Sequence, residues 1–440
     1  MSFDIVIHNG TIVTVNPDFD IIEDGIVCIK NGRLERVESR SAGYLLPEAE
    51  EIIDAKGGII MPGLVNTHTH LPMSIFKGLA DDLPLMPWLN EHIFPAESKH
   101  IKPETVRLGT FLACAEMMLS GTTTCCDGYF FEDEVAKAVF DSGMRAVLGQ
   151  GVIDFPAPGV LEPSDNINNA VRFIDKWHDK SPMITPSIFC HSPYTCSEET
   201  LKKAKDAASS KKLIFQIHAA ETKDERNRIL SEKNSSPIKY LDSIGMLDND
   251  TLLVHSIWVD ADDIDRIANS GAKVSVCTES EMKLASGIAP VIKFLEAGIK
   301  VGLGTDGSAS NNDLDLFQEM DSTAKLHKVN ILDPTVMDAK TVFKLATIDG
   351  AGALGLDHEI GSIETGKQAD IIIIDVNRPH LVPMYNPVSH IVYSARGSDV
   401  QDVIIAGNVV VRDKKILTFD VEEILERASL IGEAIKSDFS

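Results

Sequence analysis

VFDSGMRAVLG, residues 139–149, decides the fold. An amphipathic stretch runs into Gly143 and an apolar run leaves it. A helix C-terminus asks for a left-handed residue, which glycine adopts without a Cβ penalty, so Gly143 reads as a cap and the residues after it as a strand. The unit recurs in MMLSGTTTCCD (117–127), IANSGAKVSVC (267–277) and FLEAGIKVGLG (294–304), with Gly121, Gly271 and Gly298 at the cap. GLVNTH (63–68), TPSIFCH (185–191), LIFQIH (213–218) and TLLVHS (251–256) bring the strand candidates to eight. Amphipathic segments such as EETLKKAKDAA (198–208) separate most of them. Alternating β and α units over roughly 300 residues predict an α/β chain whose parallel strands close into a (β/α)8 barrel. A doubly wound open sheet is the alternative, but no Gly-x-Gly-x-x-Gly follows the first strand to support it.

The two ends read differently. DIVIHNG, TIVTVN, GIVCIK and RLERVE are β-rich pieces punctuated by Asn9-Gly10 and Asn31-Gly32, a hairpin signal. ADIIIIDV, DVIIAG and NVVVRD repeat the texture after residue 366, with Gly407-Asn408 as a further turn. The pattern predicts a small β-sandwich built from 1–60 plus 363–425, a catalytic barrel over 61–362, and a helical tail at 426–440.

Lys and Arg number 41 against 66 Asp and Glu, a formal charge of −25. Such acidity argues against nucleic-acid or anionic-membrane partners. The seven cysteines include no Cys-x-x-Cys pair, which reads as reduced, buried thiols rather than a disulfide framework or zinc ribbon. MSFDIVIHNG lacks the basic and apolar regions of a signal peptide, and the apolar runs fall short of a membrane span. A cytoplasmic protein is expected.

The strand ends carry the chemistry. His68 and His70 end the first strand, His191 the fourth, His218 the fifth, His255 the sixth and Asp306 the eighth. Barrel active sites lie at the C-terminal ends of strands, so these side chains should meet at one mouth. A lone histidine is more often a satisfied structural residue than a ligand, but coincidence at so many strand ends is hard to dismiss. His68 and His70 point to the same face of a strand; His218 and Asp306 would complete a metal site. Three imidazoles and a carboxylate suit Zn²⁺ or Fe²⁺ and leave a position for water, whose pKa such an ion lowers toward ~7. Glu221, three residues past His218 in HAAE, could shuttle a proton there, against the plainer reading of a solvated charge in ETKDER.

The HTH after a Pro-Gly strand, with HAAE, LVHSIWVD and GLGTDGSASNNDLDLF, resembles the mononuclear branch of the amidohydrolase superfamily. More narrowly, HTHLPMSIFKGLADDLPLMPWL, HSPYTCS, KLASG, the TDG and SNNDLD block and LGLDHEIGSIETGKQADIIIID resemble the methylthioadenosine/S-adenosylhomocysteine deaminases over nearly the whole chain. That resemblance implies one zinc per subunit (or Fe²⁺) on His68, His70, His218 and Asp306. It implies that Asp306 accepts the attacking water's proton, that Glu221 protonates N1 of adenine and the departing ammonia, and that His255 orients the nucleophile. Glu97 would grip ribose hydroxyls and His191 would touch substrate. Trp88 would wall the pocket or serve simply as a buried aromatic. The implied reaction converts the adenine of 5′-methylthioadenosine, 5′-deoxyadenosine, adenosine or S-adenosylhomocysteine to hypoxanthine and ammonia. The implied assembly is a homodimer. ITPSIFCH contains no Lys, so a carbamylated-lysine, two-metal site is not expected. Triazine chlorohydrolases and guanine deaminases share the metal site, so guanine, cytosine or a triazine is the alternative substrate, and a non-enzymatic scaffold is a further one. Glu221 favours amine substrates, because ammonia must leave protonated whereas chloride need not.

Two features depart from the resembled pattern, which reads close to HxPxSNxKLxSG on the seventh strand. Here VCTESEMKLASG places Val276, Thr278 and Glu281 at its His, Pro and Asn. Glu281 is then either a carboxylate at the pocket mouth or an ordinary solvated charge. Binding homocysteine would call for a basic side chain. Arg145 leads the third strand and is the candidate, but the following GVIDFPAPGVLEP contains none, which favours the smaller 5′ substituents.

Overall fold

The computed structural model describes residues 2–40 and 44–438. Residue 1 and residues 41–43 of the β-rich start, and 439–440 of the expected tail, lie outside the described residues. The chain divides into two compact units.

The first unit comprises residues 1–66, 115–124 and 315–420. Its sheet runs Lys415–Ile416, Asn408–Arg412, Val400–Ile405, Ile371–Ile374, Ile59–Pro62, Phe3–Val13, Ile21–Lys30, Arg33–Ser39, with Ala49–Asp54 also pairing Phe3–Val13. The two ends of the chain join where Ile371–Ile374 runs antiparallel to Ile59–Pro62. Ile5, Ile7, Val27, Ile29, Ile371, Ile373 and Ile404 are buried together, giving the small β-sandwich its core. Asn31-Gly32 makes the expected tight turn, with φ of 51° and 75°. Asn9-Gly10 does not turn the chain. It lies inside the single strand Phe3–Val13, where Asn9 at φ 60° makes a register irregularity and donates its Nδ2 to Asp54 Oδ1. The left-handed residue that a hairpin needs is also what a bulge needs, and here the strand continues beyond it. At the other end the turn is Ala406-Gly407, one residue before the expected pair.

The eight-stranded sheet runs in chain order: Leu64–Thr69, Thr122–Tyr129, Arg145–Val152, Ile184–Cys190, Phe215–Ala219, Thr251–His255, Lys273–Val276, Val301–Leu303. From the third strand to the eighth every pairing is parallel. Asp306 N donates to His68 O at 3.0 Å and draws the eighth strand's end to the first, closing the (β/α)8 barrel. Helices such as Glu132–Ser142, Asn166–Trp177, Glu198–Ser210 and Ala261–Ser270 fill the crossovers. Gly143 and Gly271 cap their helices at φ 78°, as the repeated motif predicts.

After the first strand the second unit inserts a 3₁₀ turn (Leu71–Phe76), a π-helical turn (Trp88–Ile93) and a helix (Phe94–His100). Such π turns recur at functional sites because one extra residue re-aims the side chains that follow. The C-terminal helix starts at Val421 rather than at 426, and its Asp438 pairs with Lys99 and His100 on that insertion. Among the described residues no helix is long and apolar enough to cross a membrane. No disulfide forms, and all seven cysteines are buried.

Candidate active site

The first strand ends at Thr69, so His68 lies within it and His70 just beyond. Their rings stand 4.7 Å apart at 85°. His218 brings its Nε2 to 3.1 Å from that of His68, and Asp306 Oδ1 lies 3.3 Å from His70 Nε2 and 3.6 Å from His68 Nε2. One donor atom from each of the four residues falls within 4.8 Å of all the others.

Neighbouring groups aim these donors. His70 Nδ1 meets Gly128 O at 2.7 Å, which places the ring proton on Nδ1 and turns the Nε2 lone pair into the cluster. Asp306 accepts from Gly307 N at 2.8 Å and from the hydroxyls of Ser280 and Ser310 at 2.6 and 2.9 Å. Burial holds His68 at a pKa of about 4 and drives His218 well below the ordinary histidine range. Burial alone would raise Asp306, but its hydrogen bond to His68 and the charges of His70 and His255 hold it well below the carboxylate range. The neutral imidazoles of His68 and His218 and the ionised carboxylate of Asp306 are protonation states that a divalent cation requires. The four residues form a metal-binding cluster.

Beside it stand Glu221 and His255. Burial pushes the Glu221 carboxyl up to about 7, against the pull of His255. Its Oε2 lies 4.0 Å from His255 Nε2. For His255 burial alone would lower the pKa, but Glu221, Glu281 and Asp306 raise it to about 9. His255 adopts φ 72°, left-handed for a residue with a Cβ, so the backbone itself is bent to deliver this ring. Ala220, at φ 55°, accepts from Ile257 N and Trp258 N, which ties together the loops that carry Glu221 and His255.

A cavity of about 220 Å³ opens onto this chemistry. His70, His218, Glu221, His255 and Asp306 line its floor, and Glu97, Trp88 and His191 line it as well. Glu97 is buried and accepts a hydrogen bond from the Tyr129 hydroxyl; burial, opposed by that bond, lifts it to about 7. His191 Nδ1 sits 3.0 Å from Thr195 Oγ1, and burial lowers its pKa to about 4. Trp88 donates Nε1 to Ala80 O at 3.0 Å, presenting its indole as wall rather than as a hydrogen-bonding group. The outer wall is apolar: Phe94, Phe155, Pro156, Pro158, Leu161. Among the described residues, no Lys or Arg lines the cavity.

Arg145 is not in the cavity. It begins its strand, at the end of the barrel away from the mouth, and its guanidinium donates to Pro182 O at 3.2 Å. Glu281 is neither solvated nor at the mouth. It is 3% exposed, with Oε1 3.3 Å from His255 Nδ1 and accepting from Cys277 N at 3.1 Å. Val276 and Thr278 are fully buried and do not line the cavity.

Several supporting residues were not singled out from sequence. Glu225 accepts from Ala220 N and Glu221 N, both at 2.8 Å, and so fixes the loop that carries Glu221. The Thr222-x-x-Glu225 spacing resembles a capping box. Thr222 does cap Glu225 N, yet the Glu225 carboxylate turns to the preceding loop instead. Asp127 accepts from Leu71 N and Thr69 Oγ1 and anchors the chain around His70.

The amidohydrolase family pattern matches residues 59–410. A protein of Syntrophobacter fumaroxidans named 5-methylthioadenosine/S-adenosylhomocysteine deaminase is 45% identical over 98% of both chains. One of Methanosarcina mazei named 5′-deoxyadenosine deaminase is 42% identical, again over 98% of both. The crystal structure of an adenosine deaminase from Xanthomonas campestris with bound zinc superposes with a TM-score of 0.96 at 34% identity, over 99% of each chain.

Proposed function

The chain belongs to the amidohydrolase family, and we propose that it is a metal-dependent hydrolytic deaminase of adenine nucleosides. It would convert the adenine of 5′-methylthioadenosine, 5′-deoxyadenosine, adenosine or S-adenosylhomocysteine to hypoxanthine with release of ammonia. The observation that carries this reading is the buried Glu221, brought to a pKa of about 7 beside His255 and the metal-binding cluster. A carboxyl tuned to neutral pH can both give and take a proton there, as expulsion of ammonia demands.

His68, His70, His218 and Asp306 would hold the ion, and zinc is the one proposed, with Fe²⁺ suited to the same donors. When bound, it supplies Lewis-acid activation of water at neutral pH. Asp306, fixed by Gly307, Ser280 and Ser310, takes a proton from the attacking water. Glu221 gives its proton to ring nitrogen N1 as C6 is attacked, then takes the proton of the new C6 hydroxyl and passes it to the amine, which departs as ammonia; the proton held by Asp306 returns to Glu221 and resets the site. His255 orients the attacking oxygen and stabilises the charge that develops on it. Glu97 receives the ribose hydroxyls, a task for which a free base would give it no partner, and Trp88 and His191 bound the nucleoside.

The apolar wall and the absence of Lys and Arg among the described lining residues support a small or apolar 5′ substituent. A buried homocysteine carboxylate would lack its counter-ion. Arg145, at the far end of the barrel, does not supply one. The acidic charge and buried thiols fit action in the cytoplasm.

Ammonia release by the zinc-loaded protein tests the reading. The panel holds 5′-deoxyadenosine, 5′-methylthioadenosine, adenosine, S-adenosylhomocysteine, guanine, cytosine and a chlorotriazine. Turnover confined to the adenine nucleosides is expected, with kcat/KM for S-adenosylhomocysteine at least tenfold below that for 5′-deoxyadenosine, the ~1.4 kcal/mol or more of an unpaired charge. Turnover of a free base would remove the nucleoside claim and leave the metal chemistry standing.

A further inference from the structure

The seventh strand contributes no residue to the metal-binding cluster, yet the short helix Thr278–Lys283 that follows it reaches two functional side chains with adjacent residues. Ser280 Oγ donates to Asp306 Oδ2 at 2.6 Å, and Glu281 Oε1 stands 3.3 Å from His255 Nδ1. Glu281 is 3% exposed and His255 2%, so water does not compete for this contact. The carboxylate is itself fixed, because the same Oε1 accepts from Cys277 N at 3.1 Å at the start of that helix. The opposite ring nitrogen of His255 faces Glu221 Oε2 at 4.0 Å. The imidazole is thus held from behind by one carboxylate and presents Nε2 to the other.

We propose that Glu281 is a positioning residue for the deamination: by accepting from His255 Nδ1–H it holds that proton in place and fixes the tilt with which Nε2 meets Glu221 and the attacking water. This rests on the role of His255 in the proposed function. A carboxylate suits the task because it offers only acceptors, so it cannot seat a donor against Nδ1. The asparagine of the resembled motif is one methylene shorter and carries a donor nitrogen beside its single oxygen. Glu281 never touches substrate in this scheme and does not line the cavity. Its effect passes entirely through His255.

Two near-isosteric variants separate this from general support of the core. E281M fills the space and removes the acceptor, whereas E281Q keeps an acceptor oxygen. E281M is expected to lower kcat about 10- to 100-fold, the range found when a partner behind a functional imidazole is lost. KM should stay within about threefold and the bound zinc per chain should be unchanged, since the substrate contacts and donor set are intact. E281Q should restore most of kcat. In an H255N background E281M should change nothing further, because two residues acting as one unit are not additive. Nitrogen-15 NMR of histidine-labelled protein reads the ring directly, whatever the protein turns over. The His255 signal, assigned by its loss in H255N, should show a protonated Nδ1 in wild type and E281Q, and loss of that proton or a mixture of ring orientations in E281M. Unaltered kcat or unaltered His255 resonances in E281M would overturn the proposal. So would equal losses in E281M and E281Q, or a full further loss in the H255N background. If wild type released no ammonia from any adenine nucleoside, the proposed function would fail, and the NMR arm would still decide whether Glu281 sets the His255 ring.

Discussion

Replacing Glu97 by Gln should make the protein more stable and less active. The carboxyl is 5% exposed, and the Tyr129 hydroxyl bonds one of its oxygens. Burial, opposed by that bond, raises it from 4.5 to about 7. A group whose folded pKa lies above its unfolded value contributes its stability in full below the unfolded pKa, here 4.5, and loses it as pH rises through the folded one, here about 7. That gap, at 1.36 kcal/mol per pH unit, corresponds to about 3 kcal/mol of stability that wild type gives up between acidic and alkaline solution. Glutamine has no charge to bury and keeps the oxygen that Tyr129 donates to. Relative to wild type, E97Q should therefore gain up to about 3 kcal/mol between pH 4 and pH 9, most of it between pH 5 and 8. Denaturant unfolding of both proteins across that range measures it. On the proposed function, the same change should weaken the bond from Glu97 to the ribose hydroxyls. A hydrogen bond to a charged group is worth ~1.5–3 kcal/mol, so kcat/KM for 5′-deoxyadenosine should fall about 10- to 100-fold. Parallel pH profiles of stability would show that Glu97 does not carry a buried charge. An unchanged kcat/KM would show that it does not hold the sugar.

Glu221→Gln should lower kcat by about 10³ and leave the zinc content alone, because an amide cannot transfer the proton and the residue lies outside the donor set. With Glu221 acting first as an acid of pKa about 7, wild-type kcat/KM should fall as pH rises past that value, and E221Q should lack that limb. Chelation should abolish ammonia release and lower the unfolding midpoint, with zinc restoring both; at free zinc a thousandfold above its Kd the stabilisation is about 4 kcal/mol. An apo-protein that unfolds at the holo midpoint would argue against a site built at these four residues. Glu225→Gln should cost about 1–3 kcal/mol of stability and roughly tenfold in kcat, because an amide would set a donor against the Ala220 or Glu221 N–H. Unfolding midpoints and kcat of the variant check this.

The barrel was legible because its repeat is physical. A helix that must stop and a strand that must start put a glycine between them at fixed places, and Gly143 and Gly271 take the left-handed angle this predicts. The metal-binding cluster was legible for a similar reason: the chemistry demands particular side chains, and the fold puts strand ends together. Asn9-Gly10 misled because a left-handed pair serves a bulge as well as a hairpin, and only the partner strands decide which. Arg145 misled in a different way. It heads its strand, and in a parallel barrel the head and the mouth are opposite ends, so its place in the sequence already argued against the pocket.

The residues that aim the ligands were far less legible, and the reason is geometric. Ser280, Ser310 and Glu281 sit in short helices and Glu225 in the first turn of a longer one, where no repeated pattern relates sequence position to direction. In the sequence, Glu281 and Glu279 two residues before it are equivalent members of one acidic run. In the structure Glu281 is buried against His255, whereas Glu279 is only half-buried. What separates them is the backbone at the end of the seventh strand, where Cys277 N already donates to Glu281. The left-handed φ of 72° at His255 points the same way. A conformation that costs about 1–3 kcal/mol persists only where its surroundings over-determine it, and at His255 those surroundings include two carboxylates, one on each ring nitrogen. The geometry that would make His255 useful is therefore held by residues that never meet the substrate.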